Sequence, residues 1–558
     1  MTTQAAVAGS VWPLSQQPIA WLTERRWNAW MWAFVGLGVA LRLLRFLLRF
    51  PLWGDECFVA LNFMDRGYAG LAEPLEFNQI CPLWFMWIEM TAVKALGFNE
   101  WSLRLFPTIY SVVCVFLFRH LARGLLNPLP ALLAVAIFCV SYYPIRHGAE
   151  LKPYSADLMV ALAMLALAAN WLQTGRGRFG WWLVAFVPVG LGLSYTAPFV
   201  AGGVSAAVLL ALATKRLPRG WLAWAAFNGL VLATFLAFYV AVAREQSLAA
   251  KAGGIHDYWA KSFPPLSTPW RVPLWLLDMH TGRMFAYPVG GTRGASAFTT
   301  LLCLAGAAVL WKRQEKWISC LLLGPAALGL AAAFIHAYPY GESARITQYL
   351  APAICLLAGL GLATLLTLPK SKLPVGRKLA AAVAVLLAIG AGSAVRDLTK
   401  PYKTEFDALN QCFARWIWHD LAYDGEVACI QGDLGVPLFP GEAWRAGALE
   451  YRCYQRIFSP LHRHGPHLPD WTKITANHPL WCVTYAHEGH EPDAAALAAW
   501  LGQMNEQYDL ASTMRLPLGS GGGDIFEQWY EVYRFVPKTS SRGTIQAQTP
   551  AAQPLPVR

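Results

Sequence analysis

From Trp27 to Leu48 the chain carries no charge except Arg42 and Arg45, and apolar runs of this kind recur as far as residue 395. Crossing a bilayer takes about 20 mainly apolar residues in a helix, which satisfies its own backbone polar groups. Candidate spans are 27–48, 101–118, 128–146, 153–173, 180–196, 198–213, 220–243, 296–311, 317–335, 347–367 and 378–395, about eleven by that criterion. Of the 558 residues, 56% are hydrophobic and 14% charged, too little charge to cover a soluble surface of that size. The 26 tryptophans suit membrane interfaces. A net charge of +12 raises nucleic acid as a partner. Most of the surplus, however, lies in short loops between apolar runs, and no basic-aromatic motif accompanies it. The N-terminus lacks the small-residue cleavage site of a signal peptide, so the first run is expected to be a retained anchor.

Loop charge decides the ambiguous run 81–98. With Arg25 and Arg26 cytoplasmic and 81–98 left in the interface, nearly every short basic loop falls on the cytoplasmic side. These loops hold Arg119 and Arg123, Arg176 and Arg178, Lys215, Arg216 and Arg219, Lys312, Arg313 and Lys316, and Lys370, Lys372, Arg377 and Lys378. Counting 81–98 as a span inverts them all, so it reads as a juxtamembrane or re-entrant helix. The organisation expected is a cytoplasmic N-terminus (1–26) and a membrane domain (27–395) with outer loops 49–100 and 244–295. An extracytoplasmic soluble α/β domain (396–538) and a disordered tail (539–558) follow. Within the soluble domain the pattern predicts helices near 404–421 and 493–507, and strands near 426–431, 480–486, 508–516 and 527–536. "GSGGGD", Gly519 to Asp524, reads as a hairpin connection, since no helix pattern follows it. Cys57, Cys81, Cys412, Cys429, Cys453 and Cys482 fall in outer segments, where bridges are permitted but pairing is not legible. Neither CxxC nor HExxH occurs, so a zinc site has little support; no cofactor is assigned, and a divalent metal stays open without support from the sequence.

Charged residues gather at outer membrane boundaries. "RFPLWGDECFVALNF" puts Asp55 and Glu56 just after the first span. "RHGAELKPYSAD" places Arg146, Glu150, Lys152, Tyr154 and Asp157 at a second boundary, with Asp157 inside the outer end of a helix, where an ionisable group should face a cavity or a partner. "YPYGESARITQYLAP" puts Glu342, Arg345 and Tyr349 at a third, the last two sharing a face if the helix has begun. Arg42, Arg45 and Arg49 lie on one face of the first span, against the positive-inside trend. Each set has two readings. Wet interfacial acids and snorkelling cations account for all of them structurally. A guanidinium entering a span can instead hold a phosphate by two parallel hydrogen bonds.

The order "WGDE", then "CPLWFMWIEMTAVKALGFNEWSLRLFPTIYSV", then "GAELKPYSAD" resembles membrane glycosyltransferases of the GT-C superfamily. It is most similar to the branch of the protein O-mannosyltransferases and lipid A aminoarabinose transferases. The resemblance covers the first four spans well, Arg345–Tyr349 loosely, and the last third of the chain little. It implies a GT-C-like helical membrane fold, a polyprenyl-phosphate-linked sugar donor, and a glycan, lipid or protein acceptor at the outer face of the bacterial cytoplasmic membrane. By the same resemblance Asp55 is the catalytic carboxylate with Glu56 beside it, and Arg104 in Asn99–Arg104 is structural. Lys152 and Tyr154 stand where relatives carry Arg and Tyr. Cys81-Pro82-Leu83 departs from the Pro-Pro or Lys-Pro-Pro step that relatives often show.

A sugar on a lipid phosphate has a good leaving group, so the growing phosphate charge needs cations: Lys152 and Arg345 first, Arg42 or Arg45 next. The acceptor hydroxyl needs a base, the role expected of Asp55. In-line attack inverts the anomeric centre. A retaining route needs a carboxylate nucleophile, for which Asp157 or Glu150 stays open. The His residues of loop 244–295, His256 and His280, are too scattered for a metal site. The rival classes are a transporter or flippase of lipid-linked sugars, which favours repeats and midplane charges not seen here, and a non-catalytic envelope-assembly scaffold.

Overall fold

The computed structural model describes residues 23–217, 219–291, 294–368, 373–421, 426–429, 446–458, 479–488, 494–520 and 527–538. Residues 1–22, the tail 539–558, Lys370 and Lys372, and the Gly521–Asp524 part of the predicted hairpin connection lie outside them.

Each predicted span coincides with an apolar helix: α1 (Glu24–Leu47), α4 (Glu100–Leu125), α5 (Pro128–Val140), α6 (Tyr154–Thr174), α7 (Gly177–Leu193), α8 (Ala197–Ala213), α9 (Trp221–Phe238), α10 (Gly294–Lys312), α11 (Lys316–Phe334), α12 (Ala351–Leu366) and α13 (Val375–Thr399). Short α2 (Gly54–Ala60) and α3 (Leu83–Leu96) lie between α1 and α4. Eight helices among the described residues are long and apolar enough to cross a membrane by themselves. A ninth span results if α5 is joined to Tyr142–Ala149, which bends away from it by 48° after Ser141. At 17 residues each, α7 and α8 are shorter. Helix α3 has 14 residues, about 21 Å at the helical rise and short of a bilayer core.

Local chemistry sets the helix ends. The Asn99 side chain accepts from the backbone N–H groups of Trp101 and Ser102 at the start of α4. Pro128 opens α5, where its missing N–H costs nothing. Gly175 closes α6 in the left-handed region, at φ 65°. Helices α6 and α12 form the buried centre of the bundle, while α9 and α13 lie at its periphery. Gly306 of α10 and Gly361 of α12 let the two helices touch through their backbones. A Cβ at either would run into the carbonyl of Leu357 or Leu302 respectively.

After α13, helix α14 (Glu405–Arg415) leads to a four-stranded sheet of β1 (Glu426–Cys429), β2 (Leu480–His487), β3 (Tyr508–Ser520) and β4 (Glu527–Pro537) in the order β1-β2-β4-β3. The β1/β2 pair is parallel, and β4 runs antiparallel to both β2 and β3. Helix α16 (Ala494–Gln507) precedes β3 and packs Trp500 against Tyr533 and Phe535. All the predicted elements of this region are present. Helix α15 (Ala446–Phe458) is an element the sequence pattern does not announce. Leu449, Cys453 and Ile457, four residues apart, lie on one buried face of it.

Candidate active site

Helix α2 places its two acids in different surroundings. Glu56 is fully buried and receives the Arg104 guanidinium in a two-pronged pair, with Nε to Oε1 at 2.7 Å and a second close contact to Oε2. It also accepts from the Leu151 backbone N–H at 2.8 Å and caps its own helix through the Trp53 N–H. Arg104 donates further to the carbonyls of Phe50 and Pro51. Glu56 therefore ties together the loop after α1, helix α4 and the 147–152 turn. Its lone pairs are committed, which makes it a positioning residue.

Asp55, one residue earlier, points the other way and stays partly exposed. Its carboxylate is ion-paired with Arg345, whose other nitrogen donates to the Tyr258 hydroxyl at 2.6 Å. Trp53, Tyr258 and Trp259 set their rings 5.6, 5.8 and 5.0 Å from the Arg345 guanidinium carbon. Arg345 lies in a turn, and α12 begins only at Ala351. The helical face expected for Arg345 and Tyr349 therefore does not form, because Pro352 sets the first turn of the helix downstream of both. Tyr349 goes into the core against Phe199, and its hydroxyl has no hydrogen-bond partner among the described residues.

Glu150 lies on the wall of the same site. His147 Nδ1 is 2.8 Å from its Oε2, while Arg146 Nε and Lys403 Nζ each stand 3.9 Å from Oε1. Burial alone would raise its pKa. Lys403, His147 and Arg146 outweigh burial and hold the carboxyl well below its ordinary range. Lys403 is the residue the sequence reading missed. It lies between α13 and α14 with Nζ over the Trp53 ring, two residues from Asp55. Burial pushes its pKa down to about 7; Glu150 opposes this only in part, and Arg146 and Arg345 add to it while Asp55 opposes. Nothing in the sequence around Lys403 signals a site. The only hint is that it follows the last span directly.

The remaining sequence candidates divide. Tyr154, at the start of α6, lies close enough to Arg345 for the two to interact electrostatically, and it packs against His147. Lys152 donates to Gln79 Oε1. Asp157 accepts from Ser194 at 2.6 Å within the bundle. Arg42 and Arg45 do not reach Asp55. Arg42 is buried, bonding to Ser111 Oγ and the Gly38 carbonyl, both at 2.9 Å, and to Cys139 O at 3.4 Å. Arg45 pairs with Asp397 of α13 at 2.9 Å and lies over Phe50. A buried guanidinium with carbonyls, a hydroxyl or a carboxylate nearby acts as interhelical glue. Among the described residues no three His, Cys, Asp or Glu side chains group as metal ligands.

Residues 80–243 match the family model described as dolichyl-phosphate-mannose-protein mannosyltransferase. That segment is therefore similar to membrane glycosyltransferases of this family, and the fold of the whole chain is shared with the solved structures that follow. Among solved structures it is similar to ArnT from Cupriavidus metallidurans bound to undecaprenyl phosphate, at TM-score 0.50 and 12% identity over 90% of this chain and 98% of that one. The apo form of the same protein gives TM-score 0.48 at 13% identity, over 90% and 98% of the two chains. The apo oligosaccharyltransferase of Archaeoglobus fulgidus gives 0.45 at 12% identity, over 81% of this chain and 65% of that one. No curated protein matches the sequence.

Proposed function

We propose that this protein moves a sugar from a polyprenyl-phosphate donor to a hydroxyl-bearing acceptor (lipid, glycan or protein) at the outer face of the bacterial cytoplasmic membrane. The observation that carries this reading is the Asp55–Arg345 pair, partly exposed at one end of the bundle beside Lys403 and Trp53. A lipid-linked phosphate lies at headgroup depth, and this end of the bundle offers both things the transfer needs: a base and cations.

In the donor-free state Arg345 neutralises Asp55. When the donor phosphate arrives, the Arg345 fork turns to it, because a phosphate offers more acceptor oxygens in a matching plane. Asp55 is then free to take the acceptor hydroxyl proton as that oxygen attacks the anomeric carbon. The new C–O bond forms as the anomeric carbon–phosphate oxygen bond breaks. The electron pair leaves with polyprenyl phosphate, which Arg345, Lys403 and Lys152 stabilise. One in-line displacement inverts the anomeric centre. Tyr154, whose charge interaction reaches Arg345, helps set the orientation of the guanidinium, and Glu56 holds α2 in register. Tyr258 and Trp259 come from the 244–295 loop, so that loop closes one side of the site. The bundle centre holds Tyr349, Asp157, Arg42 and Arg45 as framework.

The deciding experiment incubates purified wild-type and Asp55→Asn protein with a panel of polyprenyl-phosphate sugars and a membrane-extract acceptor. Wild type is expected to release polyprenyl phosphate and Asp55→Asn is not, at equal expression and membrane insertion. Full activity of the variant removes Asp55 as the base.

A further inference from the structure

Lys403 is a half-buried cation, its side chain 14% exposed. The capping box of α14 fixes the chain next to it: Thr404 N–H donates to Asp407 at 2.9 Å, and Asp407 N–H donates back to the Thr404 hydroxyl at 3.2 Å. Its ammonium makes no hydrogen bond among the described residues. The one carboxylate within ion-pair range is Glu150, at 3.9 Å, and Glu150 already serves His147 and Arg146. Behind the ammonium is the Trp53 ring, and Asp55 and Arg345 act on it electrostatically. The N–H donors of this half-buried lysine are left open among the described residues, at the end of the bundle where the donor phosphate is proposed to sit. Burying a cation without full pairing is costly unless a ligand completes it.

We infer that Lys403 is the cation that receives the leaving phosphate monoester, and that it gains a proton from solvent when that phosphate binds. The inference rests on the proposed donor chemistry and deepens it. The titratable and charged groups facing Lys403 come from several elements: Glu150, Arg146 and His147 from the 142–150 stretch, Asp55 from α2, Arg345 from the turn before α12, Asp407 from α14 and Glu450 from α15. Burial disfavours the ammonium, which is held down to about 7. A phosphate dianion reverses that balance. Below that pH the lysine is already charged and binding needs no proton. Above it a proton must be taken up, so affinity for the phosphate falls as pH rises, by up to about tenfold per unit.

The test is calorimetry on the purified full chain with farnesyl phosphate as the probe, near pH 8, in buffers of different ionisation enthalpy. At that pH the phosphate itself is already a dianion, and Asp407, raised to about 6 chiefly by burial, is ionised. Wild type is expected to take up about one proton per phosphate bound. Lys403→Arg keeps a permanent charge and is expected to bind within about threefold of wild type with no uptake. Lys403→Met is expected to bind about tenfold more weakly, again with no uptake. Uptake that persists in Lys403→Arg assigns the proton to another group, such as Glu450 or His147, and overturns the inference. Undiminished binding by Lys403→Met overturns it too, while leaving the donor reading intact. Failure of wild type to bind farnesyl phosphate removes both. Inorganic phosphate serves as a second probe: weaker binding than the farnesyl ester assigns the site to a lipid-linked phosphate, and equal binding overturns that assignment.

Discussion

Asp55 keeps about a quarter of its side chain exposed and has one strong partner, Arg345, whereas Glu56 is sealed and holds three backbone or guanidinium donors. Their substitutions should separate cleanly. Asp55→Asn is expected to lower transfer by at least about 100-fold while shifting stability by less than about 1 kcal/mol. Glu56→Gln leaves the buried Arg104 charge without its partner and is expected to cost about 3–5 kcal/mol. Thermal unfolding in detergent, read beside the transfer assay, checks both. Arg345→Lys tests the fork itself. It keeps the charge but loses the parallel hydrogen bonds, so a rise in donor KM of about tenfold is expected. An unchanged KM would take Arg345 out of phosphate recognition. The resemblance brings Asp55 forward as the base with Glu56 beside it, but the bonds that seal Glu56 are not legible, because they come from Arg104 and Leu151, far along the chain.

Apolar helices are the most legible elements of this protein, since length and hydropathy leave a bilayer chain few alternatives. Loop charge predicts a juxtamembrane or re-entrant helix over 81–98, and a 14-residue helix, α3, lies there. Harder to read were the places where an element ends and a side chain turns into the site. Arg345 and Tyr349 keep helical spacing in the sequence, yet the helix starts later and they part company. Lys403 is defined by a cap. Its position follows from the Thr404–Asp407 box at the start of α14. Thr404→Ala is expected to destabilise by about 1 kcal/mol. If the box also aims Lys403, the same variant should weaken farnesyl phosphate binding and lower the proton uptake near pH 8, a readout that a loss of stability alone would not move.

At the scale of the whole molecule, the segment after α13 docks directly on the stretch around Asp55 and on the 147–152 turn. The Tyr454 hydroxyl of α15 accepts from the Leu52 backbone N–H at 2.6 Å, Gln411 of α14 donates to Glu100 at 3.1 Å, and Lys403 reaches Glu150. These contacts join residues hundreds of positions apart, which explains why the sequence showed the soluble region as a separate unit with no catalytic constellation. The Glu150 contact makes the docking acid-sensitive. Its cationic neighbours depress the carboxyl below its unfolded value, so its contribution to stability is present above about pH 4.5 and is lost as pH falls through the depressed folded value. Lowering the pH below about 4.5 should therefore loosen the junction at Lys403 along with the general titration of paired acids. Glu150→Gln should flatten that part of the profile, because the amide cannot ionise. The measurement is the unfolding midpoint of both proteins across the acid range. An unchanged slope in Glu150→Gln would mean that Glu150 does not carry the acid sensitivity of the junction.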